Sequence, residues 1–208
     1  VFNTVRVDAI PTCHYLVPSL HTSSGAVRPF NQKLVAYYGL ELLSRFDRSL
    51  DIKANIFHES FHHLHFQNLF PALMEKYEGT MNLLTFVRGE GPLFFAFTEG
   101  LAVYVTELAY PEAFRPGLIE ENVPLYQEHF HEYTQGLLKD GKEFDYEDYE
   151  KYFLDSSKNP SVPEKFGYWL GYQVVKSLRK EFSISEMMAL PPKEIDPIVA
   201  AEIRSLLK

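Results

Sequence analysis

The chain has 208 residues, of which 46% are hydrophobic and 15% aromatic, enough apolar material to form a real core. Its formal net charge of −8 argues against a nucleic-acid-binding surface and against a patch for anionic membranes, because neither partner releases counterions to an acidic protein. A single cysteine, Cys13, excludes an internal disulfide and a cysteine-rich zinc module.

Signals for membrane insertion or targeting are few. No apolar run approaches the roughly 20 residues that a transmembrane helix needs, so we expect no membrane span. Because the chain starts with Val1 instead of Met, a leader can precede it, and a leader would place the protein outside the cytoplasm. The sequence leaves the oligomeric state and the localisation open.

The first 40 residues alternate β-branched runs with turn residues, which predicts two or three strands. The strand candidates are VRVDAI at 5–10, HYLVPSL at 14–20 and KLVAYYGL at 33–40. The polar stretch HTSSGAVRP, at 21–29, is interpreted as a turn region.

Two helices follow. From Asp51 onward apolar residues recur every three or four positions, which predicts a helix that Asp51 caps and that runs to about Pro71. The Gly-containing stretch at 78–92 then leads into FFAFTEGLAVYVTELAYP, a nearly all-apolar segment that predicts a buried helix ending near Pro111.

The remaining residues predict further helices. Residues 117–155 have the composition of polar helices, and DYEDYEKYF at 145–153 is typical of a solvated helical face or a short lid. Ser161 and Glu164 form an S-x-x-E capping box before a third long helix at 165–182, and Pro191-Pro192 precedes a short terminal helix. Without an internal repeat or a clear linker, we expect residues 1–208 to form a single α+β domain.

The first helix contains an H-E-x-x-H pattern at His58, Glu59 and His62. Positions i and i+4 lie one above the other on a helix, so the two histidines can present imidazole nitrogens to one metal ion, zinc by preference. Glu59 lies about 100° around the helix, where it can accept a proton from a metal-bound water as a general base. The apolar flanks predict burial, which is costly for these groups unless a metal compensates. The alternative is a hydrogen-bonded pair of core histidines.

A catalytic zinc site usually takes three protein ligands, so one must come from outside this helix. The metzincin continuation would need Gly at 65 and His at 68, and the sequence has His65 and Asn68. Glu99 is the better candidate because it is a lone carboxylate in an apolar helix, beside Gly100, which permits close packing. Glu107 is the second choice.

Two tyrosines are candidates for stabilising an oxyanion. Tyr168 and Tyr172 lie one turn apart, next to Gly167 and Gly171, which form a flat strip for close packing. A phenol that leans over the metal can donate a hydrogen bond to a tetrahedral intermediate, and Tyr168 is narrowly favoured. Buried aromatic packing is the alternative for each of them.

The remaining histidines of the helical segments are interpreted as supporting or surface residues. His63 and His65 point elsewhere on the first helix and are interpreted as supporting or surface residues, although His65 can flank the site. His129 and His131 are two positions apart and cannot share a helix face, so we expect them on the surface.

Three motifs stand in order along the chain: H-E-S-F-H at 58–62, T-E-G-L-A at 98–102 and G-Y-W-L-G-Y-Q at 167–173. Over about residues 30–180 the chain therefore resembles the gluzincin zinc metallopeptidases. It resembles most closely the compact predicted zinc-dependent proteases known only as domains of unknown function. The ordered set is more specific than any one motif. The thermolysin-type string N-E-x-x-S-D is absent around the third ligand, so the usual aspartate partner of a zinc histidine is not identifiable.

The resemblance implies a zincin-like fold and a catalytic zinc ion. In that fold a small twisted sheet has an edge strand along the cleft, one helix carries the two histidines and a following helix carries the glutamate. KLVAYYGL, at 33–40, would be the sheet segment nearest the active-site helix. A tyrosine or histidine often stabilises the oxyanion in gluzincins, which supports the tyrosine assignment without choosing between the two.

The leading functional hypothesis is a zinc metallopeptidase that hydrolyses peptide bonds in peptide or protein substrates, with Glu59 as general base. The alternative is a non-catalytic zincin-like domain that binds a peptide or protein in the same cleft. Glu59 argues against that alternative, because a structural metal site needs no general base. Zinc-dependent hydrolysis of a non-peptide amide is a third, weaker option.

Overall fold

A computed structural model describes residues 14–18, 25–30, 33–78, 83–113, 115–140, 143–154 and 162–208. In those residues helices predominate and accompany one three-stranded sheet, so the predicted α+β class is confirmed. The strand candidate at 5–10, Cys13 and Ser161 lie outside the described residues.

The sheet has the order β1-β3-β2, with ranges β1 (His14–Val17), β2 (Gly25–Phe30) and β3 (Lys33–Gly39). The central strand β3 runs parallel to β1, with His14 opposite Ala36, and antiparallel to β2, with Gly25 opposite Tyr38. Strand β2 lies largely within the segment that was interpreted as a turn, so that interpretation is wrong there. Pairing with β3 makes the segment a strand although Gly25, Ala26 and Pro29 are weak strand formers.

After the short helix α1 (Leu40–Leu43), helix α2 (Ser49–Lys76) carries the H-E-x-x-H pattern. Asp51 does not cap it: the residue lies in the first turn and forms an ion pair with Arg48 at 2.6 Å. The helix also continues past Pro71, where the sequence predicted its end. Leu69 and Leu73, at most 2% exposed, extend the buried face across the proline and stabilise that last part.

Helix α3 (Leu83–Ala109) is broken at Gly91, whose φ of 73° lies in the left-handed region that glycine tolerates best. The preceding segment from Leu83 is helical, so the predicted connection at 78–92 is shorter than expected. The second part carries Glu99 and ends just before Tyr110-Pro111, as predicted.

One helical stretch, Leu84–Ala109, is long and apolar enough to cross a membrane by length and composition alone. In this protein 67% of its most apolar window is buried, as in the core helix of a globular protein. It is weak evidence for a span, and the expectation of no span stays a prediction.

The described residues of the C-terminal half are mostly helical. A 3-10 turn (Glu120–Asn122) precedes α4 (Val123–Glu128), α5 (Phe130–Asp140), α6 (Tyr146–Phe153), α7 (Phe166–Leu178), α8 (Ile184–Met188) and α9 (Pro192–Leu206). Helix α6 buries Tyr152 and Phe153 completely, so it is more than a solvated face. Helix α7 starts after Lys165 without a side-chain cap. The predicted capping box includes Ser161 and therefore lies outside the described residues.

The contacts divide the described residues into two compact units, and α2 and α3 each continue from one unit into the other. One unit contains the sheet, α1, α2 as far as Asn68, and Val105–Pro116; its core includes Val27, Ala36, Tyr38 and Leu43. The other contains Leu69–Tyr104 and Gly117–Lys208, with an aromatic cluster around Phe95 and Phe153. The expectation of a single domain stays a prediction.

Candidate metal centre

His58 and His62 lie one turn apart on α2 and are 3% and 4% exposed. Their Nε2 atoms are 3.1 Å apart, and the ring planes stand at 80° to each other. Two nitrogens bound to one zinc ion at about 2.05 Å in tetrahedral geometry would be about 3.3 Å apart. The observed distance fits both alternatives that the sequence left open: two nitrogens that share a metal ion, and a hydrogen bond between the two imidazoles.

Glu99 brings a carboxylate to the same place. One ligand atom from each of His58, His62 and Glu99 lies within 4.8 Å of the other two, and Glu99 is half-buried. Its neighbours Phe97 and Leu101 are fully buried, which matches the apolar setting that the sequence indicated. Two imidazoles and one carboxylate are a donor set that can hold a divalent metal ion.

The second choice for the third ligand, Glu107, has another partner. Its carboxylate accepts a hydrogen bond from the Arg115 guanidinium at 3.3 Å, and both side chains are partly exposed. Glu107 is not a member of the group that Glu99 completes.

Glu59 is 8% exposed. The group found among the described residues consists of His58, His62 and Glu99 and does not include Glu59. Its side chain lies against Gly25 of β2: a Cβ atom built on Gly25 would be 2.4 Å from Cγ and 2.8 Å from Oε1 of Glu59. Sequence reasoning missed this approach. No local pattern marks Gly25, because only the pairing of β2 with β3 brings the residue to α2.

The central strand β3 contacts α2 on both sides of the histidine pair. The Tyr38 hydroxyl donates to the Ile56 carbonyl at 3.3 Å and lies 3.4 Å from the Ser60 hydroxyl. The imidazole Nε2 of His63 donates to the Leu34 carbonyl at 2.9 Å. The alternation in KLVAYYGL, which places Ala36 and Tyr38 on one face, is a signal that could have found Tyr38.

His63 and His65 are both fully buried, so a surface position is wrong for either of them. Burial and, to a smaller extent, the neighbouring His62 lower the pKa of His65 to about 3, so the His65 imidazole is neutral. His131, by contrast, is exposed, and the half-buried His129 pairs with Glu132 at 3.2 Å, as expected for surface positions.

Helix α7 packs closely on α3 at two glycines. A Cβ atom on Gly100 would be 2.1 Å from the Gly171 carbonyl carbon, and one on Gly171 would be 1.7 Å from the Ala96 oxygen. The close packing expected of both residues is therefore confirmed. We call this contact of Ala96 and Gly100 with Gly171 the α3–α7 seam. It lies one residue from Glu99 and so supports the helical turn that carries this carboxylate.

The two candidate tyrosines have different surroundings. Tyr172 follows Gly171 at the α3–α7 seam, is 4% exposed, and its ring lies 6.3 Å from that of Tyr104 on α3. The half-buried Tyr168 instead lies against Gly117, with its ring 6.3 Å from that of Phe153. Tyr172 therefore packs beside the helix that carries Glu99, and Tyr168 packs on Gly117 and Phe153. A role for either tyrosine in catalysis stays a prediction.

The arrangement thus combines three residues that can hold a metal ion, His58, His62 and Glu99, with the neighbouring Glu59 carboxylate, which can accept and donate a proton.

No protein-family model, curated protein or solved structure matches the chain.

Proposed function

We propose that the protein is a zinc-dependent metallopeptidase of the gluzincin type, with a zincin-like fold, which hydrolyses peptide bonds in peptides or proteins. The observation that carries the proposal is the convergence of His58, His62 and Glu99 within 4.8 Å, with Glu59 adjacent in sequence and outside the trio. A metal site with a purely structural role needs no carboxylate in that position.

His58, His62 and Glu99 would hold the ion. Two nitrogens and one oxygen suit zinc, and three protein ligands leave a coordination position open, which distinguishes catalytic from structural zinc sites. When bound, zinc supplies a water of lowered pKa and polarises a carbonyl group. Both histidines are almost completely buried, and ligation to a metal ion would compensate the burial of their polar nitrogens.

Glu59 does the proton transfer. Its carboxylate accepts a proton from the attacking water and donates it to the leaving amine nitrogen when the peptide bond breaks. A tyrosine hydroxyl from α7 donates a hydrogen bond to the oxyanion of the tetrahedral intermediate. The sheet that contacts α2 through Tyr38 and Gly25 supports the zincin-like assignment, because it lies beside the proposed active-site helix.

Replacing Glu59 with Gln tests the proposal. The amide keeps the shape of the side chain and removes the base, so we expect zinc near one per chain in both proteins and hydrolysis at least about 100-fold slower in the variant. Zinc content and the digestion of a peptide mixture are measured on the same preparations. Glu107→Gln is the matched control, because it makes the same change at the carboxylate that pairs with Arg115.

The outcomes separate the hypotheses. Zinc without cleavage of any peptide by the parent protein would favour the non-catalytic binding domain, or hydrolysis of another amide if model amides are cleaved. Loss of zinc from Glu59→Gln would make Glu59 a ligand or a structural support. Unchanged hydrolysis would refute the mechanism.

A further inference from the structure

Gly25, the first residue of β2, lies against the Glu59 side chain. A Cβ atom at Gly25 would lie 2.4 Å from Cγ, 2.7 Å from Cδ and 2.8 Å from Oε1 of Glu59. Carbon atoms that are not bonded to each other do not approach so closely. Any residue other than glycine would therefore displace the Glu59 carboxylate or the strand.

The backbone of Gly25 does not itself require glycine. Among the described glycines the positive φ values belong to Gly91 and Gly117, so Gly25 has a conformation that alanine can adopt. Within a strand, glycine is less stable than alanine because it loses more conformational entropy on folding. Glycine is favoured at this position because the Glu59 side chain occupies the space that a Cβ atom would need.

The strand pairing explains why this position faces α2. Gly25 is opposite Tyr38 in the antiparallel pair, and cross-strand partners project from the same face of a sheet. The Tyr38 hydroxyl reaches the Ile56 carbonyl and the Ser60 hydroxyl, which lie on either side of Glu59 in the helix. The two cross-strand partners therefore act differently on α2: Tyr38 holds the helix backbone, and Gly25 leaves room for the Glu59 carboxylate.

We propose that Gly25 is a positioning residue for Glu59. Because Gly25 has no side chain, β2 leaves a space at this position, and that space sets where the Glu59 carboxylate lies. The inference rests on the proposed function for its catalytic consequence, but not for the contact itself. Gly25 acts through Glu59, whose side chain lies against it.

A double-mutant cycle tests the contact without using activity. Gly25→Ala should lower the urea midpoint of the full chain when Glu59 is present, and should leave it unchanged or raise it in a Glu59→Ala background, where the crowded atoms are gone. Metal content is matched across the four proteins. Equal losses in both backgrounds would overturn the proposal, because the cost would then not come from Glu59.

Kinetics test the consequence. Gly25→Ala should keep zinc and KM within about twofold of the parent and lower kcat about tenfold or more, since misplacing a catalytic group by 1 Å can cost about 100-fold. The matched control is Gly136→Ala on α5, where a Cβ atom would lie 2.9 Å from the Tyr152 hydroxyl, and its kcat should not change.

The two failures are distinguishable. A parent protein that cleaves nothing refutes the proposed function, while the urea cycle still decides whether Gly25 and Glu59 are coupled. An active parent whose kcat is insensitive to Gly25→Ala refutes the positioning role.

Discussion

His58, Glu59 and His62 are all less than 9% exposed, and this burial determines the energetics of the candidate site. A buried imidazole avoids the charged form, and a buried carboxylate is costly unless a cation or a hydrogen bond stabilises it. A divalent ion stabilises both kinds of group at once. The residues that the sequence pattern selected are therefore also buried ones, and a bound metal ion would stabilise them there.

The third ligand is tested by comparing two glutamates on α3. Glu99→Ala leaves only His58 and His62, so we expect zinc affinity to fall by more than about 100-fold, beyond the usual loss from an outer-shell mutation. Glu107→Ala should keep zinc affinity near that of the parent, because its carboxylate pairs with Arg115. Titration against a competing chelator measures both. Equal affinity in Glu99→Ala and the parent would remove Glu99 from the site.

The two tyrosines are separated by replacing each with Phe. We expect Tyr172→Phe to lower kcat by about 100-fold, the low end of what one oxyanion donor contributes, because Tyr172 lies at the seam with the helix of Glu99. Tyr168→Phe should change kcat little, since that ring packs on Gly117 and Phe153. Steady-state kinetics of both variants decides, and the opposite ranking would restore the initial preference for Tyr168.

At the scale of elements, the α3–α7 seam links packing to the site. Gly171→Ala would put a methyl group 1.7 Å from the Ala96 backbone oxygen, so the helices must separate. We expect a loss of about 1–3 kcal/mol in the free energy of unfolding, as for other overpacked cores, together with weaker zinc binding. Urea unfolding and chelator titration measure these, with Gly136→Ala as control. Normal stability would mean that the seam adjusts without cost.

Local patterns predicted the long helices and the grouping of His58, His62 and Glu99, but they predicted neither the ends of the helices nor the residues that support the group. The i, i+4 histidines and the lone carboxylate at Glu99 are signals within a few residues, so the sequence reveals them. The end predicted at Pro71 is wrong because the burial of Leu69 and Leu73 outweighs the cost of the proline. Strand β2 and the role of Gly25 depend on pairing with β3, and single-segment propensity does not encode such a pairing.

At the scale of the whole molecule, an excess of negative charge has to be accommodated in the fold. Glu90, 6% exposed, does so by accepting hydrogen bonds from the Lys76 ammonium at 2.8 Å and from the Tyr77 hydroxyl at 2.6 Å. These contacts join the end of α2 to the part of α3 that precedes Gly91. Burial and the hydrogen bond to Glu90 raise the pKa of Tyr77, which therefore stays protonated as the donor.

Asp196 on α9 lies close enough to this cluster to feel its charge. Desolvation and, to a smaller extent, the charge of Glu90 raise the pKa of its carboxyl from an ordinary 3.8 to about 6, against the opposing effect of Lys76. The folded chain therefore binds this proton more tightly than the unfolded chain. The resulting stabilisation is complete below about pH 4 and is lost as the pH rises through 6.

Asp196→Asn should remove this pH dependence, because the amide stays neutral at every pH. We expect the variant to be more stable than the parent at pH 8, by an amount on the order of 0.5 kcal/mol since solvent screens this exposed side chain, and equally stable below about pH 4. Urea unfolding at pH 4, 6 and 8 measures the difference. Glu202→Gln, which removes one charge elsewhere on α9, is the control for net charge. A parent that is more stable than Asp196→Asn at pH 8 would show that the ionised carboxylate is favoured in the folded state, because the contact with Lys76 would then outweigh both desolvation and the repulsion from Glu90.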